Sequence, residues 1–212
     1  MRRIIVDAIT FNERALDEAV RVIVDGGVIA LPTDTLYGLG ADPFRPDAVA
    51  RVFAVKGRVA ERALPLIAAD ADQVADRLGI LPELAGRLAS RFWPGPLTLL
   101  LTAPAVMAPA VSGGTGTVGV RIPSHAVARA LCHACGSPLT ATSANVSGAG
   151  PSADPDEVER TLGDRIDLLV DAGTTPGGPP STIVDTTGAS PRLVREGAIA
   201  WEEIQAYLGQ RA

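Results

Sequence analysis

Short apolar runs alternate with helical periodicities along the whole chain. Arg3 to Val6 reads as a first strand. Thr10 followed by Glu13 has capping-box spacing, and Ala15, Leu16, Ala19, Val20 and Ile23 beyond it mark one helical face. Gly26 and Gly27 end that helix, Val28 to Leu31 is a buried strand, and Pro32 stops it. Asp47 to Val55 is helical, with Pro46 at its start. Leu64 to Ile67 is the next strand, and Asp70 with Gln73 caps a further helix. Residues 83 to 91 are helical, Leu97 to Leu101 is a continuous apolar strand, and Thr117 to Ile122 is another. Ser124 stands where it would cap a helix running to about Cys135. Leu139 to Ala141 is a short buried strand, and Asp154, Pro155 and Glu157 open the next helix. Strands over Ile166 to Val170, Thr182 to Asp185 and Arg192 to Val194 lead to a closing helix, Trp201 to Leu208.

This interleaving predicts an α/β fold. The order is not a clean βα repeat, so the sheet is expected to be mixed, parallel and antiparallel, and twisted, with helices flanking it. Residues 173 to 180, GTTPGGPP, lose periodicity only briefly before strands resume. They read as a loop, and residues 1–212 as a single domain.

Composition sharpens this picture. Among 212 residues, 47% are apolar and 20% charged, which provides a sizeable core and excludes global disorder. Aromatics are 4%, so that core is aliphatic. The net charge of −5 argues against a protein that coats nucleic acid, because such affinity comes from neutralising phosphates. Local basic clusters in an acidic chain point instead to a small anionic ligand. The apolar run after Arg2 and Arg3 is too short for a signal peptide. No stretch approaches the roughly 18 apolar residues of a membrane span, so no membrane association and a cytoplasmic setting are expected. Two cysteines cannot build a disulfide framework.

Four segments carry chemistry that local structure does not explain. In Leu31 to Gly40, LPTDTLYGLG, the hydroxyls of Thr33, Thr35 and Tyr37 alternate. In an extended backbone they would face one way, at a strand's carboxyl end, where open α/β sheets bind ligands. The same residues would also suit a self-satisfied turn. Lys56 and Arg58 at a helix end can grip a polyphosphate, or merely complement the helix dipole. Thr140 to Gly148, TATSANVSG, presents Ser143 and Asn145, whose side chains can donate to phosphate oxygens. Ser181, at the start of a strand, and Arg195, at the end of another, complete the set. Two further patterns are set aside. Gly114 to Gly119 matches GxGxxG but precedes a strand, whereas a dinucleotide fingerprint follows one. Cys132, His133 and Cys135 lack a second ligand pair, so small buried thiols are expected rather than a metal site.

Together these segments resemble the YrdC/TsaC family of threonylcarbamoyl-AMP synthases. The matching stretches are PTDTLYGLGAD, KGR followed by LPLI, RFWPGPLTLLL, VGVRIPSH, ATSANVSG, STIVD and LVREGAI, in order from about residue 17 to 199. The resemblance implies a single α/β domain with a twisted mixed sheet around a concave, positively charged cleft. It implies that Lys56, Arg58, Ser143 and Asn145 hold the nucleotide phosphates and that Arg195 contacts the nucleotide. Thr33, Thr35, Arg121 and Ser181 would surround L-threonine and bicarbonate, with Arg121 pairing the amino-acid carboxylate and Tyr37 packing against the ligand. The implied reaction converts ATP, bicarbonate and L-threonine into threonylcarbamoyl-AMP and pyrophosphate. Mg²⁺ would enter with ATP, and no structural metal is implied. The product would feed the tRNA threonylcarbamoyl transferase machinery, with weak direct tRNA binding as an added option.

This chain departs from the family pattern at Val59, where many members have proline, and at Ala68 and Ala69, where many long-form members have histidine. It resembles the short form, without the extra C-terminal domain. Two competing readings are a YciO-like paralogue and a nucleotide- or RNA-binding module without synthase activity.

Overall fold

The structure is a computed structural model, and the residues it describes are 1–57 and 63–210. Arg58 and Val59 lie outside them. The strands are β1 (Arg2–Ile5), β2 (Ile29–Leu31), β3 (Gly38–Gly40), β4 (Leu66–Ile67), β5 (Leu97–Thr102), β6 (Thr117–Arg121), β7 (Leu139–Thr140), β8 (Thr142–Ser143), β9 (Leu168–Asp171), β10 (Thr182–Asp185) and β11 (Arg192–Arg195). The α-helices are α1 (Asp17–Val24), α2 (Pro46–Lys56), α3 (Ala71–Leu78), α4 (Glu83–Phe92), α5 (Ala126–Ala134), α6 (Pro155–Leu162) and α7 (Trp201–Gly209).

The strands form two mixed sheets, ordered β1-β9-β2-β3-β8 and β11-β10-β5-β6-β4-β7. Strand burial explains the apolar runs. Ile29 and Leu31 of β2 face one hydrophobic cluster, with α1 and α5, while Ala30 faces another. Leu168 and Val170 of β9 likewise divide from Leu169, and Ile67 of β4 from Leu66. Strands buried on both faces show no alternation, because no position meets water.

Among the described residues the chain crosses between the sheets three times: between β3 and β4, between β7 and β8, and between β9 and β10. The middle crossing is a single residue, Ala141. It is fixed by fully buried Thr140, whose hydroxyl donates to Leu39 O and accepts from Ala41 N. The GTTPGGPP loop is the third crossing, which is why its periodicity lapses.

Several helix starts differ from expectation. Asn12, not Thr10, caps the 3-10 turn Glu13–Leu16 that precedes α1, while Asp7 holds the Thr10 amide. Ala15 is consequently exposed and Val22 takes its place on the buried face. His125 occupies the position before α5, because Ser124 is turned toward Asp34. The Asp70 cap holds as expected: it accepts from Gln73 N, and Gln73 reaches back to Ala69 N.

Candidate active site

A cavity of about 460 Å³ opens where the crossings meet. Pro65 from the first, Ala141 from the second, and Pro180 with Ser181 from the third line it. Its floor is one face of the six-stranded sheet. Thr98 and Leu100 of β5 and Gly119 and Arg121 of β6 alternate onto that face, joined by Ile183 of β10. Gly119 leaves room for them: a Cβ there would sit 3.0 Å from the Thr98 methyl.

Arg195 reaches the same face through an irregularity. In the β10–β11 ladder Ile183 pairs with Arg195 but Val184 pairs with Leu193, so Val194 is one residue too many. The bulge sets Arg195 beside Ile183 on the cavity and leaves Val194 47% exposed. The strand end is pinned by buried Thr182, whose hydroxyl accepts from Gly197 N and Ile199 N. Gly197 is required there, since a Cβ would lie 2.1 Å from Pro180 O.

The Thr33–Tyr37 segment is a bend rather than an extended strand. Thr33 Oγ1 donates to Leu36 O at 2.7 Å and accepts from Leu36 N and Thr35 N. The alternation argument therefore fails: Thr33 closes its own turn. Tyr37 is fully buried, and its hydroxyl donates to Gly173 O at 2.7 Å. Burial raises its pKa. Thr175 Oγ1 and Gly177 N both donate to Thr35 O, so the third crossing loop is stapled to this turn. Thr33, Thr35 and Tyr37 nonetheless all line the cavity.

Among the described residues two arginines give the cavity its charge. Arg121 is 8% exposed, and its Nη1 lies 3.0 Å from Asp34 Oδ1. The approach is an ion pair whose angles fall short of a directed hydrogen bond, since neither atom has such a partner among the described residues. Burial lowers the Arg121 pKa; Asp34 opposes that shift and the Arg195 charge adds to it. Arg195 is exposed as a residue, yet the cavity rim desolvates its guanidinium enough to lower its pKa. It donates to Ser181 O at 2.8 Å, and Ser181 Oγ lies 2.8 Å from Thr98 Oγ1. Among the described residues Arg195 meets no carboxylate.

Lys56 is placed differently. It ends α2, where Gly57 turns the chain in the left-handed conformation at φ 62°. Its ammonium donates to Ser143 O at 2.6 Å, Asn145 O at 3.0 Å and Asn145 Oδ1 at 3.1 Å. Ser143 Oγ also donates to Asn145 Oδ1. Lys56, Ser143 and Asn145 are thus brought together, but only Ser143 lines the cavity. Arg58 lies outside the described residues.

Ala68 and Ala69 are buried core residues, with Ala69 packed beside Val127 and Leu131. Gly114 and Gly116 adopt positive φ in the turn before β6, not at a helix start. Cys132 is fully buried and Cys135 partly so, and burial pushes the Cys135 thiol up to about 12. Among the described residues no group of three or more His, Cys, Asp or Glu could hold a metal, and no helix is long and apolar enough to cross a membrane. Sequence reasoning missed Asp34, Thr98, Thr175 and Thr182. Asp34 stood in PTDTLYGLGAD, Thr98 in RFWPGPLTLLL and Thr182 in STIVD, all quoted above, while Thr175 stood in the GTTPGGPP loop.

Comparisons with known proteins show the family and the fold. The Sua5/YciO/YrdC family model, described as "Telomere recombination", matches residues 21–197. The Bacillus subtilis protein named threonylcarbamoyl-AMP synthase is 38% identical over 206 residues, covering 97% of this chain and 60% of that protein. The structure of Pyrococcus abyssi Sua5 complexed with L-threonine superposes with a TM-score of 0.92 at 37% identity, covering 99% of this chain and 61% of that one. Escherichia coli YciO superposes with a TM-score of 0.84 at 28% identity, covering 94% and 98%. The chain belongs to the Sua5/YciO/YrdC family. It spans about three fifths of the length of the first two of these relatives.

Proposed function

We propose that this chain is a threonylcarbamoyl-AMP synthase, a nucleotidyltransferase acting on ATP, bicarbonate and L-threonine. The observation that carries the reading is the buried, cavity-facing Arg121 flanked by Thr33, Thr35 and Ser181, in a chain 37% identical to a Sua5 whose structure was determined with L-threonine. A fork of N–H donors in a small hydroxyl-lined cavity suits an amino-acid carboxylate.

In this reading the threonine amine attacks bicarbonate and water leaves, giving a carbamate. A carbamate oxygen then attacks the α-phosphorus of ATP, the bond to the β-phosphate oxygen breaks, and pyrophosphate departs. No side chain needs to become covalently modified. Arg121 holds the threonine carboxylate, and Thr33, Thr35 and Ser181 surround the amino acid and the bicarbonate. Tyr37 acts by packing. Lys56, Arg58, Ser143 and Asn145 hold the phosphates and Arg195 contacts the nucleotide. Catalysis is then positioning plus stabilisation of growing phosphate charge. Lys56 must exchange acceptors on Ser143 and Asn145 for phosphate oxygens, because an ammonium has only three protons.

Among the described residues the donors around the cavity are hydroxyls and guanidinium groups, and the nearby carboxylate of Asp34 is already paired. Such a set suits anions and offers no cage for a resident divalent cation. Mg²⁺ therefore enters with ATP, as part of the substrate. The product is a mixed anhydride that tRNA threonylcarbamoyl transferase machinery in the cytoplasm would consume, with at most weak tRNA contact by this chain.

The test is pyrophosphate release from ATP with and without bicarbonate and L-threonine. Release that depends on both is expected. Folded protein that binds ATP but shows no threonine dependence would overturn the reading in favour of a YciO-like role.

A further inference from the structure

Asp34 stands between two cavity-lining residues, Thr33 and Thr35, yet does not line the cavity itself. Its side chain is 11% exposed. One carboxylate oxygen meets Arg121 Nη1 at 3.0 Å, and the other accepts from Ser124 Oγ at 3.3 Å. Asp34 belongs to the bend between β2 and β3, in the five-stranded sheet. Arg121 ends β6 and Ser124 follows it, in the six-stranded sheet. One carboxylate thus ties the two sheets together behind the cavity.

Arg121 has reason to need this support. Its guanidinium is buried, and the neighbouring charge of Arg195 repels it. A long side chain in that position gains by turning away from the cavity unless something holds it. Asp34 approaches one end of the fork and leaves the cavity side for a ligand. Asp34 Oδ1 and Arg121 Nη1 have no directed hydrogen-bond partner among the described residues, so the pair is electrostatic and not a closed fork. A substrate carboxylate can then complete the geometry without displacing Asp34.

We propose that Asp34 is a positioning residue, holding the Arg121 guanidinium toward the cavity for the carboxylate of the amino-acid substrate. The assignment of that substrate rests on the function proposed above; the hold of Asp34 on Arg121 does not. Two readouts separate them. Nitrogen NMR of the arginine side chains, with Arg121 identified by its loss in Arg121→Lys, reports the hold without any ligand. Calorimetry with L-threonine and, separately, ATP reports the consequence.

Asp34→Asn should release the slowly rotating Arg121 guanidinium into the averaged arginine signal. It should also weaken L-threonine binding by roughly tenfold or more and leave ATP affinity unchanged. An unaltered Arg121 signal, or unaltered threonine affinity, in folded Asp34→Asn would overturn the proposal. A released signal in a protein whose wild type binds no L-threonine would sustain the hold and overturn the substrate. If Asp34→Asn does not fold, Ser124→Ala loosens the same carboxylate without removing a charge. It should weaken threonine binding about threefold, and wild-type affinity in that variant would overturn the proposal equally.

Discussion

Arg121 and Lys56 are both buried cations, 8% and 3% exposed, and they are held in opposite ways. Arg121 meets one carboxylate by charge alone and keeps its fork toward the cavity. Lys56 donates to backbone and side-chain acceptors of the Ser143–Asn145 loop and stays out of the cavity lining. The first arrangement is prepared for an anion before the anion arrives. The second holds a loop in shape and can serve a phosphate only by rearranging. Two cations of similar burial can thus differ in where their removal registers, one in function and the other in stability.

The largest expected effect comes from Arg121→Lys. A lysine keeps the charge opposite Asp34 but loses the planar fork. Charge-assisted hydrogen bonds contribute about 1.5–3 kcal/mol each. Threonine-dependent kcat/KM should therefore fall about 100-fold, mostly through KM for threonine, while the melting temperature stays close to wild type. Steady-state kinetics with a thermal melt checks both. A full loss of folding would mean that the fork, not the charge, supports the two-sheet junction.

Lys56→Met reverses that profile. The variant removes the Lys56 donor from the Ser143–Asn145 loop: Ser143 O keeps the bond from Asn145 N at 2.9 Å, whereas Asn145 O loses its donor, and an acceptor left unpaired away from water costs about 1–3 kcal/mol. A stability loss of about 2 kcal/mol is expected, or about 4–8 °C in melting temperature for a chain of this size. Activity should fall as well. A variant that melts with the wild type would make Lys56 a pure phosphate ligand and break the contrast with Arg121.

The parts of this design legible in the sequence are those written in local patterns. Val28 to Leu31 and Leu97 to Leu101 announce buried strands by continuous apolar character, and Asp70 with Gln73 announces its cap. β3 was not legible: two of its three residues are glycine, so it has no side-chain pattern to read. The two-sheet division was hidden because it depends on a one-residue crossing at Ala141. Within the site, the family motifs drew attention to the residues that gather at the cavity, but not to their partners. The hydroxyl of Thr33 turns inward on its own bend, and Tyr37 reaches across to Gly173. The bulge that delivers Arg195 depends on a register between β10 and β11 that no local pattern encodes. Asp34 sat in plain view in PTDTLYGLG, and its role depends on an arginine far along the chain.

The smallest effect concerns His125, beside the Arg121 corner. Burial lowers its pKa from the ordinary 6.5, with Asp34 acting in the opposite sense, and its Nδ1 has no partner among the described residues. Burial therefore disfavours the charged imidazolium in the folded protein, and the nearby Asp34 carboxylate only partly offsets this. The unfolded chain takes up a proton as pH falls through about 6.5, whereas the folded chain resists until a lower pH. Stability is present above that range and is lost as pH falls through it toward the folded-state value. His125→Gln removes this contribution. Urea unfolding at about pH 7.5 and about pH 5.5 should show a smaller loss on acidification in the variant than in the wild type. Equal losses would mean that His125 takes up its proton alike in both states. Burial beside Asp34 would then cost the imidazolium little, and the Asp34 carboxylate would be offsetting the desolvation of its neighbours more fully than the direction of the shift implies.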